Sequence, residues 1–64
     1  MSIRYILINL DDEEDIKIYN NLRILSENVR DMYNITKSHM YYQRILSSCP
    51  KLYVDRLLII KINL

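Results

Sequence analysis

Glycine is missing from this chain, as are alanine, tryptophan and phenylalanine, and cysteine, histidine and proline occur once each. Without glycine there is no phosphate-cradling loop and no calcium loop of the usual kind, since both need backbone geometry that a side chain obstructs. A single cysteine, Cys49, excludes an internal disulfide and a paired-cysteine zinc site. A single histidine, His39, excludes the HExxH pattern, and ten residues separate it from Cys49, which leaves no local dyad. The sequence therefore points away from an enzyme and calls for no metal and no cofactor. The apolar run near the start, Tyr5 to Ile8, is too short for a signal-peptide core or a membrane span. These absences read as a soluble intracellular protein, of cytoplasm or nucleus, with Cys49 as a small buried apolar group.

What is present is mostly isoleucine, leucine and tyrosine: half of the 64 residues are hydrophobic, which argues against disorder. A chain of this length forms one domain, residues 1–64, and buries only about 60% of the surface its unfolded form exposes. Oligomerisation is a common remedy for so small a core, and a homodimer is expected here. Abundant isoleucine, asparagine and tyrosine without glycine or alanine is the signature of AT-rich coding, as in phage, viral or organelle genomes.

Net charge is only +1 but unevenly placed. Five carboxylates run from Asp11 to Asp15, whereas from Ile16 onward eight bases face three acids. That asymmetry suits a nucleic-acid partner. The acidic run lacks the spaced ligands of a metal site and reads as a solvated turn or a helix start.

Both ends of the chain read as strands. In Ile3–Leu10, Ile3, Tyr5 and Leu7 share one side and Ile6, Ile8 and Leu10 the other. In Leu57–Ile62, Leu58, Ile60 and Ile62 share one side, while Leu57 and Ile59 share the other with Lys61 interrupting it. Strands apolar on both faces are expected to be covered on both faces. The expected fold is α+β, strand-helix-helix-strand, with the terminal strands paired, helices over one face and a second copy over the other. Short hairpins at either end are compatible with this, one turning at Asp55-Arg56.

Between them lie two amphipathic helices. Leu22, Leu25, Val29 and Met32 recur at steps of three and four. Ile18 extends that stripe backward, which predicts one helix of about twenty residues starting in the acidic run, with carboxylates at its positive end. The competing reading makes residues 11–15 a hairpin loop, 16–19 a returning strand, and Asn20 or Asn21 the cap of a shorter helix. Missing glycine weighs against a tight hairpin, so the long helix is preferred. The turn Asn34-Ile35-Thr36 follows: Asn34 tolerates left-handed geometry, Ile35 plugs the corner and Thr36 caps the next helix. In that second helix Met40 or Tyr41, then Ile45 and Ser48, continue the apolar side, and the helix ends before Pro50.

Two helices joined by a short turn, the second with a polar and basic outer face, have the layout of a helix-turn-helix that enters a DNA major groove. The residues expected at DNA are Lys37, Ser38, Tyr42, Gln43 and Arg44 on the second helix, with Arg56 and Lys61 on the backbone. Arg and Gln read guanine and adenine edges, Lys holds phosphate, and Tyr can stack on bases. A small DNA-binding or transcription-regulating protein is the first expectation. A non-enzymatic protein–protein interaction module or inhibitor, acting as a homodimer, is the second.

Residues 26–62 also resemble the nuclease-associated modular helix-turn-helix domains. The resemblance rests on Ser26, Val29, Met32, the run Asn34-Ile35-Thr36-Lys37-Ser38, Met40 and Arg44-Ile45-Leu46, followed by Lys51-Leu52-Tyr53 and the apolar LLIIKI. It implies a strand pair, a helix, a short turn, a recognition helix and a closing strand. The sequence departs from that pattern at Val54-Asp55-Arg56, where those domains place a glycine turn.

Overall fold

The computed structural model describes residues 2–12 and 14–64. Their order is β1 (Ile3–Asn9), β2 (Ile16–Tyr19), α1 (Leu22–Tyr33), α2 (His39–Leu46), β3 (Lys51–Val54) and β4 (Leu57–Asn63). The four strands form one antiparallel sheet in the order β2-β1-β4-β3, so the terminal strands are central neighbours and each carries a short strand on its outer edge. The chain is α+β, with both helices on one face of the sheet.

Register fixes which side chains meet the helices. Lys17, Leu7, Ile59 and Leu52 form one row across the sheet, Tyr19, Tyr5 and Lys61 the row below, and Asn9, Leu57 and Val54 the row above. Against them pack Leu25 and Val29 of α1 and Tyr42 and Leu46 of α2, which complete a core with Leu7, Leu52, Val54, Leu57 and Ile59. The opposite face carries Ile16, Ile8, Leu58 and Tyr53 in one row, Ile18, Ile6, Ile60 and Lys51 in the next, then Arg4 and Ile62.

The expected single long helix is not what forms. Residues 16–19 are strand β2, and α1 begins at Leu22 behind Asn21, whose side-chain oxygen accepts from the backbone N–H groups of Arg23 and Ile24. Asn21 thereby satisfies free donors of the first turn and fixes the start of the helix. Ile18 fits both a period-two and a period-3.6 pattern, and pairing with Ile6 decides for the strand. Met32, expected in the core stripe, is 44% exposed at the end of α1.

Polar side chains replace glycine in shaping the two sharp turns. Asn34 ends α1 with φ 58°, and its backbone N–H donates to the Arg30 carbonyl. Asp55 turns β3 into β4 with φ 53°, so an aspartate does the work expected of glycine there. Both residue types enter the left-handed region more readily than any other non-glycine residue.

The β1–β2 connection is tied down by one carboxylate. Asp15 accepts from the Lys17 ammonium, from the Tyr33 hydroxyl at 2.6 Å and from the Asn9 amide at 3.3 Å, joining both strands to the end of α1. These donors favour the ionised form, with Lys17 foremost, and hold the Asp15 carboxyl at about 2, below its ordinary 3.8. A depressed carboxyl pKa contributes stability that is complete above the ordinary value and is lost as pH falls through the folded one. Thermal melts should therefore show stability decaying from about pH 4 down to about pH 2. In Asp15→Asn that part of the pH dependence should disappear.

Candidate nucleic-acid interface

The helix pair is built as the sequence suggests, but α2 starts later. Asn34 to Ser38 separate the helices, and Ser38, not Thr36, is the N-cap. Ile35 does pack against the core at the corner. Tyr41 and Ile45, expected on the apolar side, are partly buried against the core. Tyr42 and Leu46, four residues apart, face inward, and Met40 is 56% exposed.

Tyr42 is therefore a core residue and not a DNA contact, because none of its surface reaches solvent. Its ring meets Tyr41 edge-on, with centroids 5.4 Å apart and planes at 85°, and burial pushes its phenol pKa up. Tyr41 holds the boundary position. Lys37 precedes the helix, so it does not share a helical face with Arg44; its ammonium sits 4.9 Å from the centroid of the Tyr41 ring, a cation–π contact. Gln43 and Arg44 are exposed on α2, as is Ser38 at its start, whose side chain makes no capping hydrogen bond.

Beside α2 lies an open groove of about 520 Å³. Gln43, His39 and Ser47 form its α2 wall, Asn21 and Arg23 its α1 wall, and Tyr5 and Lys61 its floor on the sheet. Lys61 reaches it because the row Tyr19-Tyr5-Lys61 lies beyond the apolar row that the helices cover. Among the described residues no carboxylate lines the groove, and Arg23, His39 and Lys61 are the basic groups that do. Arg23 and His39 were not among the expected site residues. Arg23 joins the site only once α1 starts at Leu22, which the long-helix reading conceals.

Arg56 does not join this group. It sits in the β3–β4 turn, and its guanidinium Nη1 donates to Asp11 Oδ2 at 2.7 Å. Lys61 lies five residues further along β4, about 17 Å at ordinary strand rise, at the other end of the sheet. The Asp11 carboxylate raises the Arg56 pKa and offsets its charge locally.

Cys49 is exposed, not buried. It follows the last turn of α2, where its backbone N–H donates to the Ile45 carbonyl and the chain leaves for β3. No group of three or more metal-ligating side chains occurs among the described residues. No helix among them is long and apolar enough to cross a membrane. The chain matches no protein-family model, no curated protein and no solved structure.

Proposed function

We propose that this is a small, non-enzymatic DNA-binding protein that regulates transcription by presenting α2 to the major groove. The observation that carries the reading is the sorting of charge around α2. Its outer surface bears Gln43 and Arg44 and borders a groove with basic groups and, among the described residues, no carboxylate. The acidic residues 11, 12, 14 and 15 lie at the β1–β2 turn, the far end of the sheet from Lys61. Such a surface attracts a polyanion through phosphate contacts and leaves the helix free to read base edges.

In this reading Gln43 and Arg44 contact bases, Lys37 and Ser38 hold one phosphate strand, and Arg23 and Lys61 hold the other from the groove. Arg56 takes no part, and Tyr42 acts only by packing. The resemblance of residues 26–62 to modular helix-turn-helix domains supports the same assignment of α2.

Fluorescence anisotropy with mixed-sequence duplex DNA tests it. Three to four phosphate contacts give a slope of about −3 in log affinity against log salt. Arg44→Ala should lower affinity by about 1–3 kcal/mol, and Arg56→Ala should leave it within error. Absence of binding at low salt would remove the proposal.

A further inference from the structure

We infer that the helix-free face of the sheet is a homodimer interface, on which a second copy packs face to face about a twofold axis running across the strands. An antiparallel sheet with one solvated face ordinarily alternates apolar inward and polar outward. Here the outward set is Ile6 and Ile8 of β1, Ile16 and Ile18 of β2, and Leu58, Ile60 and Ile62 of β4, with Tyr53 on β3. Ile16, Ile18 and Tyr53 are each more than half exposed. The apolar block is continuous across all four strands, the kind of patch that a monomer rarely leaves in water.

Size and charge both favour a second copy. Two seven-residue and two four-residue strands, at about 4.8 Å spacing and 3.4 Å rise, present a flat area near 360 Å² per copy. The pair thus contributes about 720 Å² of flat projection, and side chains standing off the sheet add to it, toward the roughly 1,000 Å² expected of a specific interface. A twofold interface must also be complementary to itself. This face is: its charges, Arg4 and Lys51, lie toward one end, whereas Asp12, Glu14 and Asp55 lie in the turns at the other beside the mutually paired Asp11 and Arg56, which leaves that end net acidic. An axis across the strands sets the basic end of each copy against the acidic end of its partner. An axis along the strands would instead set like ends together.

Sedimentation equilibrium of the full chain without DNA tests this independently of the DNA reading. At tens of micromolar the expected mass is twice the 7.8 kDa chain. Ile16→Glu with Ile18→Glu changes two exposed positions on an edge strand and should raise the dissociation constant by more than about tenfold while the circular dichroism persists. Tyr53→Glu, on the opposite edge, should act in the same direction and serves if the double variant unfolds. Arg4→Glu should weaken the dimer several-fold at low salt and less at high salt. A monomeric wild type, including one whose face takes up another protein, overturns the inference. So does a dimer that survives in folded glutamate variants, and a dimer indifferent to Arg4→Glu overturns the orientation.

Discussion

Ile59→Ala should lower the stability of this protein by about 2–5 kcal/mol, the cost of removing a large buried aliphatic and leaving a cavity. Ile59 is the centre of the apolar row that the helices cover, paired with Leu7 on one side and Leu52 on the other, and none of it reaches solvent. Its neighbours are held by strand register on both sides and cannot close over the gap. A domain of this length has only about 3–10 kcal/mol in all, so this one substitution removes a large share of its stability. Urea titration followed by circular dichroism measures the loss, and an unchanged slope would assign it to the folded state. Protein concentration must be matched across variants, because association adds to apparent stability. Met32→Ala is the control. Met32 belongs to the same apolar stripe as Val29 in the sequence, but it lies half in solvent, and its removal should cost well under half as much.

That contrast marks where the sequence was readable and where it was not. The two terminal strands were legible because each is largely apolar on both sides, interrupted only near its end by Arg4 or Lys61, and a central sheet position accommodates such a run. The paired termini and the two consecutive helices followed from that. β2 was harder. Ile16 and Ile18 are two apart, but Ile18 is also four before Leu22, so one residue served two periodicities. Non-local partners decided it: Ile18 opposite Ile6, and Asp15 bonded to Tyr33 eighteen residues away. In the second helix Tyr41 and Ile45, expected on the apolar side, do pack against the core, but its fully buried centre is Tyr42 and Leu46 and Met40 points out. Gln43 and Arg44 stand exposed on that helix, whereas Tyr42 is enclosed in the core. The ion pair of Arg56 was not legible because its partner, Asp11, stands 45 residues earlier in the chain. No local pattern announces such a contact.

Tyr42 carries the second large effect, and its two substitutions should move stability in opposite directions. Tyr42→Ala removes the largest fully buried side chain of the core and should cost about 3–5 kcal/mol. Tyr42→Phe keeps the ring and its edge-on contact with Tyr41 but removes a buried hydroxyl that has no hydrogen-bond partner among the described residues. An unpartnered buried hydroxyl costs about 1–3 kcal/mol, so the phenylalanine variant should be more stable by about that amount. Urea midpoints compare the pair directly. DNA affinity measured alongside separates packing from recognition. The ring faces inward, so Tyr42→Phe should bind DNA as the wild type does, whereas Arg44→Ala should bind weakly without losing stability. If Tyr42→Phe instead lost affinity at unchanged stability, the hydroxyl would have to reach solvent, and α2 would be rotated from the position that puts Gln43 and Arg44 outside.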